Sequence, residues 1–290
     1  MNRRSLTVLA TGPLCTVQDR GRPGYAALGV SQSGAADLGA HDLANRLVGN
    51  PVEAATLEIT LGGLRIRAGS DLQVAVAGAR CPGVPHHALV RLPVGAELTL
   101  GAPEAGLRSY LGVRGGVDVP TVLGSRSTDL LSGIGPAPLS DGDVVPVGRP
   151  TGALPDVDLA PVAEPAGGTT DLGLIPGPRR DWFDDVAWGR LTGRPWSVDS
   201  QSNRIAVRLE GTPVLSRTRE GELSSEGLLR GAVQVPPSGQ PVIFGADHPV
   251  TGGYPVIGYV VLADQDRCAQ LRAGQRIRFH PRTATTRGRG

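Results

Sequence analysis

The sequence predicts a mainly β protein with a few short helices. Three observations carry this. The 290 residues include 42 Gly and 25 Pro, which implies many turns and short elements. Between that punctuation, most segments alternate or run apolar over a few residues, the mark of strands. The chain is 40% hydrophobic but only 3% aromatic, so its core is built from Val, Leu, Ile and Ala. That apolar content excludes disorder, and the length predicts one large domain or two ordinary ones.

The opening LTVLATGPLC is faintly leader-like, but Gly12 and Pro13 break the apolar run and VQDRGR follows. It reads as a strand leading into a loop. A helix is expected from Ala35 to Val48. Ala36, Ala40, Leu43, Ala44 and Leu47 share one face, Ser33 caps the start, and Gly49 and Pro51 end it. His41 is expected on its surface. Strands follow at Leu64–Arg67, Leu72–Ala77, Glu97–Leu100 and Ser109–Val113. Residues 148–169 are rich in Pro, Gly, Ala and acid, without periodicity. They place a linker at 151–170, between domains 1–150 and 171–290. In the second half, helices are expected at Asp181–Leu191, capped by Asp181, and at Asp264–Leu271. Strands are expected at Arg204–Leu209, Val233–Val235, Val242–Phe244, Val256–Leu262 and Arg276–Phe279.

Every one of the 29 basic residues is Arg. The absence of lysine excludes Schiff-base chemistry, a P-loop lysine and covalent attachment of biotin. Arg binds carboxylate and phosphate bidentately. A net charge of +2 with few aromatics argues against nucleic-acid binding. The longest strongly apolar stretch, Val256–Ala263, is too short to span a membrane as a helix. Three unpatterned cysteines fit a reducing, cytoplasmic location without disulfides. The five histidines lack metal-binding spacing, so no metal is expected. Trp182, Trp188 and Trp196 read as packing residues.

Several clusters could carry chemistry. Gln18, Asp19, Arg20 and Arg22 crowd one loop, where an Arg could clamp an anion with Asp19 orienting it; a surface turn with a local ion pair is the alternative. The segment Ser31–Asp37 opens the first helix and reads either as an anion site or as an ordinary cap. The glycine pairs after Arg114 (Gly115, Gly116) and before Tyr254 (Gly252, Gly253) could supply oxyanion donors, or simply form turns. Ser125, Arg126, Thr128 and Asp129 suit an anion grip or a capping turn. Glu226 and Asp247 are the acid/base candidates of the second half.

The order of these motifs is more specific than any one of them. GPLCTVQDRGRPGY, GVSQSGAADLGAHDLANRLVGN, AATLEITLGG and RGGVDVPTVLGSRSTDL are followed by IPGPRRDWF, SNRIAVRLEG, SSEGLLRGAVQVPPSGQPVIFGADHPVTGGYPVIGYV and AQLRAGQRIRF. This order, over about Gly12–Phe279, resembles the carboxyltransferase subdomain A/B family. That family includes allophanate hydrolase subunit 2, KipA-type proteins, the C-type subunit of 5-oxoprolinase and the matching region of urea amidolyase.

The resemblance implies two cyclophilin-like β-barrel domains. It also implies a subunit of an ATP-dependent amide or lactam hydrolase with a small-molecule amide substrate. The partner would be an allophanate hydrolase subunit 1 or KipI-type chain, with a LamB-type third subunit a further possibility. Two alternatives stay open: a biotin-dependent carboxyltransferase component, or a non-catalytic regulator that binds an inhibitor subunit. By resemblance, Gln18, Asp19, Arg20, Arg22, Ser33, Asp37, Asn45, Glu58, Arg114, Ser125, Arg126 and Thr128 are site residues. In the second half so are Ser225, Glu226, Gln234, Asp247, Thr251, Gly253 and Tyr254. In this reading Arg20 and Arg126 hold carboxylate or phosphate, and backbone donors near Gly116 and Gly253 hold an oxyanion. Asp19, Glu226 and Asp247 are the catalytic carboxylates.

Overall fold

The computed structural model describes residues 4–156, 159–165 and 167–283. The chain divides into two compact units, Met1–Tyr25 with Ser31–Ala166, and Ala26–Val30 with Gly167–Gly290.

The first unit holds β1 (Ser5–Thr11), β2 (Leu14–Gln18), α1 (Leu38–Leu47), β3 (Thr56–Thr60), β4 (Leu64–Ala68) and β5 (Leu72–Gly78). Then come β6 (Leu89–Leu92), β7 (Glu97–Thr99), β8 (Arg108–Val113) and β9 (Val144–Pro146). Its strands form two sheets, in the orders β7-β4-β1-β9 and β2-β3-β8-β5-β6. In β4, Leu64, Ile66 and Ala68 point inward while Arg65 and Arg67 face solvent, the alternation of a half-buried strand. Both sheets contribute to one aliphatic core, which includes Leu6, Val8, Ile66, Val17, Leu57 and Leu111.

The chain passes from one sheet to the other at tight corners between β1 and β2 and between β3 and β4. The corners touch. Gly12 has φ +69°, and a Cβ there would sit 2.0 Å from the Gly62 carbonyl oxygen. Only glycine fits that approach.

α1 begins at Leu38, later than the spacing suggests, and its cap is Asp37 rather than Ser33. The Asp37 carboxylate accepts the Ala40 N–H at 2.8 Å. Ser33 has φ +52°, a left-handed conformation that does not lead into a helix. His41, expected at the surface, is fully buried. Helix α1 carries its alanines, Ala40 and Ala44, onto Ala77 and Tyr110 of the sheet, so both its apolar and part of its polar face are covered. The described part of the 151–170 stretch is tied down at several points. Gly152 O accepts from Arg114, and Ala160 N–H donates to His87 O at 3.1 Å.

The second unit holds β10 (Thr170–Pro176), α2 (Asp185–Thr192), β11 (Pro195–Val198), β12 (Ala206–Glu210), β13 (Glu226–Gly227) and β14 (Ala232–Gln234). Then come β15 (Val242–Phe244), β16 (Thr251–Gly252), β17 (Val256–Val260), α3 (Gln265–Ala269) and β18 (Arg276–Pro281). Seven of these strands close into a barrel, β10-β17-β14-β15-β12-β11-β18, with the parallel β10–β18 pair completing the ring. Closure leaves no exposed strand edge in that ring. β13 and β16 form a separate short ribbon.

The cap of α2 is Asp184, whose carboxylate accepts the Ala187 N–H at 2.7 Å; the segment around Asp181 is a single 3₁₀ turn. Trp182 and Trp196 are core residues, and the Trp196 indole N–H donates to Leu191 O at 2.9 Å. Among the described residues no helix is long and apolar enough to cross a membrane.

Candidate functional site

In the first unit, one carboxylate organises the loop that follows β2. Asp19 is 7% exposed. Its Oδ1 accepts from Gly21 N–H at 2.8 Å, Ser125 Oγ at 2.7 Å and Ser127 Oγ at 2.5 Å. Its Oδ2 accepts the Arg126 N–H at 2.6 Å. These four donors satisfy both carboxylate oxygens and lock the 125–128 loop onto the 18–22 loop.

A third segment joins them. Arg22 N–H donates to Gln32 O and Ala35 N–H to Asp19 O, at 2.8 and 2.9 Å. The two strips run so close that a Cβ on Gly21 would lie 2.4 Å from Gln32 O, and one on Gly34 2.8 Å from Gly21 N. Gln18 and Ser33 both donate to Thr128 O, at 2.9 and 3.2 Å, and the Arg22 guanidinium donates to Ser127 O. Thus Gln18, Asp19, Arg22, Ser33, Ser125, Arg126 and Thr128 gather in one polar cluster.

A second network sits under the start of α1. Glu58 Oε2 accepts the Ala36 N–H at 2.9 Å and the Tyr110 hydroxyl at 2.7 Å, while Arg108 Nε lies 3.3 Å from Oε1. The same Tyr110 oxygen accepts the Asp37 N–H at 2.8 Å. Burial, then the charges of Glu58 and Asp37, push the Tyr110 phenol well above its usual pKa, so it stays a donor. The helix start is therefore filled by protein groups. On α1 itself, Arg20 pairs with Asp42 at 2.8 Å. Burial alone would raise the Asp42 pKa, but the His41 hydrogen bond and the charges of Arg20, His41 and Arg46 outweigh it and hold the carboxyl below its usual range. Asn45 bonds Ala54 O at 2.8 Å and accepts from Asn50 at 3.1 Å.

These partners decide what the arginines can do. Arg126 donates to Val119 O at 2.7 Å and to Asp118 at 2.9 Å, and Arg114 donates to Val48 O and Gly152 O, at 3.0 and 2.6 Å. Both act as struts. The glycine turn beyond Arg114 has its own acceptors: Gly115 N–H donates to Asn50 Oδ1 at 2.8 Å and Gly116 N–H to Val113 O at 2.7 Å.

In the second unit, Ser225, Glu226, Gln234, Thr251, Gly253 and Tyr254 lie on and around the β13–β16 ribbon. Glu226 pairs with Gly252 in register, and its carboxylate takes a two-point ion pair from Arg179, with Nε to Oε2 at 2.9 Å. That hydrogen bond, against a smaller opposing effect of burial, lowers the Glu226 pKa. Gln234 Nε2 donates to Tyr254 O at 2.9 Å. Arg217 lies over the Tyr254 ring, 5.7 Å from its centroid. Asp247 meets Arg204 in a buried two-point ion pair at 2.8 and 2.9 Å, with the side chains 0% and 1% exposed.

Two cavities lie beside the networks, neither lined by Asp19, Glu226 or Asp247. One of about 570 Å³ is lined by Arg46, Asn50, Pro51 and Thr151–Pro155. Another of about 510 Å³ is lined by residues including Asp199, Arg208, Glu210 and Gln240. Burial pushes the Cys15 and Cys268 thiols up to about 12, which removes them as nucleophiles. Among the described residues no group of three or more His, Cys, Asp or Glu is arranged to hold a metal ion. Tyr110, Ser127, Arg179 and Arg217 complete these clusters. Ser127 and Arg179 fall inside GSRSTDL and IPGPRRDWF without being singled out there, and Tyr110 and Arg217 lie outside the motifs.

The chain matches the carboxyltransferase domain, subdomain A and B, family over residues 28–281. It is 42% identical over 283 residues to the C-type subunit of 5-oxoprolinase from Escherichia coli, covering 94% of this chain and 90% of that protein. It is 32% identical to urea amidolyase of Lachancea kluyveri, covering 94% of this chain but 17% of that protein. Among solved structures, the Kluyveromyces lactis urea amidolyase superimposes with a TM-score of 0.88 at 30% identity, over 97% of this chain and 19% of that one.

Proposed function

The chain belongs to the carboxyltransferase domain, subdomain A and B, family, and from that premise we propose that it is the C-type component of a 5-oxoprolinase. That enzyme opens the lactam ring of 5-oxoproline with ATP, in a complex with an allophanate hydrolase subunit 1 or KipI-type partner and a LamB-type third subunit. The observation that carries this reading is end-to-end similarity: 42% identity over 94% of this chain and 90% of the Escherichia coli protein.

The geometry supports a division of labour among the three carboxylates. Asp19 and Asp247 are 7% and 0% exposed and surrounded by donors. Both carboxylates are buried and held by protein donors, Asp19 by four and Asp247 by the Arg204 fork, so we assign them as positioning residues. The Glu226 side chain is 29% exposed, so of the three it is the carboxylate a substrate can reach, and we assign proton transfer to it once substrate displaces Arg179. ATP is a co-substrate of the complex. Arg20, Arg126, Arg179 and Arg204 are each neutralised by a carboxylate, and the chain has no lysine. These four offer no free clamp for a triphosphate, which favours placing the nucleotide on the partner.

The test uses the reconstituted complex, with 5-oxoproline and ATP. Glu226→Gln lowers kcat by about a hundredfold or more with the complex intact. Wild-type turnover in that variant removes Glu226 from the chemistry.

The urea amidolyase similarity supports a second reading, carboxyl transfer from biotin held on a separate carrier. Transfer of the carboxyl group from carboxybiotin on a carrier to urea, leaving biotin, without action on 5-oxoproline, selects it.

A further inference from the structure

Most arginines of the two polar clusters are matched by acids. Arg20 pairs with Asp42, Arg126 with Asp118, Arg179 with Glu226 and Arg204 with Asp247. Nearby, Arg219 pairs with Asp181 and Arg230 with Asp266. Arg217 differs. Among the described residues no carboxylate pairs with it. Its guanidinium gives one hydrogen bond, to Val235 O at 2.7 Å, and lies over the Tyr254 ring. Its Nε is enclosed without an acceptor, which costs free energy until one arrives.

The surroundings are those of the candidate site. Tyr254 follows the Gly252–Gly253 turn and its carbonyl accepts from Gln234. Gly252 is paired with Glu226. A Cβ on Gly252 would sit 2.8 Å from Gln234 Nε2, and one on Gly253 3.4 Å from Leu223 O, so turn, amide and ribbon are in contact. Arg179 and Glu226 cancel, so Arg217 is the guanidinium here that no ion pair among the described residues meets. An arginine fork held over an aromatic ring is suited to a carboxylate.

We propose that Arg217, seated on Tyr254, is the carboxylate-binding residue of this site, which selects substrates bearing a carboxylate next to the amide over uncharged amides. The proposal rests on the lactam-hydrolase reading and sharpens it. 5-Oxoproline has that carboxylate, and urea does not.

The test titrates the full chain with 5-oxoproline, its uncharged carboxamide and propionate, following ¹⁵N-labelled arginine side chains by NMR. The wild type should bind 5-oxoproline at least about tenfold more tightly than the carboxamide. The Nε signal missing from Arg217→Lys should move on binding. Arg217→Gln should abolish the preference, and Arg217→Lys should keep part of it. Thermal melts establish that each variant is folded, and Tyr254→Leu, which removes only the stacking surface, should weaken the preference independently.

Equal binding of lactam and carboxamide by the wild type overturns the carboxylate subsite and leaves the lactam reading standing. So does a preference that survives Arg217→Gln. If propionate binds as well as 5-oxoproline and with the same dependence on Arg217, the subsite stands and the lactam reading falls. If no carboxylate moves the Arg217 signal at tens of millimolar, the subsite is rejected.

Discussion

The Asp19 carboxylate accepts the backbone N–H of Arg126 at 2.6 Å, across 107 residues of sequence. One side chain thereby sets the path of a remote loop, while the Arg126 guanidinium turns away to Asp118. The bond makes a specific prediction. Asp19→Asn is nearly isosteric, but its amide group, wherever it points, faces a donor now bound to the carboxylate. The variant should lose about 1–3 kcal/mol of stability, read by urea denaturation. Ser125→Ala, which removes one donor of four, should cost about 1 kcal/mol. Wild-type stability in Asp19→Asn would show that the loop is held by other contacts.

Arg204 and Asp247 make the complementary case. Removing one partner leaves a buried charge, so Arg204→Ala and Asp247→Ala should each cost about 3–5 kcal/mol. Replacing both by Met and Leu should recover much of the loss. Chemical denaturation of the two single variants and the double variant checks this. Additive losses would contradict it.

Tyr110→Phe deletes the hydroxyl that joins Glu58 to the Asp37 N–H. Both are buried, so the expected cost is about 1–3 kcal/mol. Amide exchange at the first turn of α1 should speed up, whereas uniform exchange across the unit would argue against a local role.

His86 gives a pH dependence. It stacks on His87 with ring centroids 3.9 Å apart, and burial, then the His87 charge, lowers its pKa from 6.5 to about 4. Because the folded pKa is below the unfolded one, the unfolded chain binds more protons between these values. The stabilisation is therefore complete above about pH 6.5, declines as pH falls, and levels off below about pH 4. Denaturation midpoints against pH should be flatter over that window in His86→Phe than in the wild type. Parallel profiles would contradict the assignment.

The sheet corners were not legible, because the approach of Gly12 to Gly62 is a long-range contact, whereas strands such as β4 were, because burial of one face imposes a period of two. The start of α1 was not. Ser33 and Asp37 are both acceptable caps, and only the left-handed backbone of Ser33 and the hold of Glu58 and Tyr110 on the preceding amides decide between them. Site residues were visible as residue types, but their roles depended on long-range pairing. Arg20 and Arg126 read as anion clamps until Asp42 and Asp118 are placed beside them. Arg217 lies in SRTREGE, a segment without a motif, and nothing local reveals that Tyr254 lies against it.

The central claim is that this chain is required for an ATP-driven opening of a lactam ring. Its most direct measurement is ¹³C NMR of labelled 5-oxoproline incubated with ATP, the two companion proteins, and this chain either present or omitted. Glutamate should form only in the complete mixture and only with ATP. Glutamate formed equally without the chain, or none with every component folded and assembled, would contradict the account.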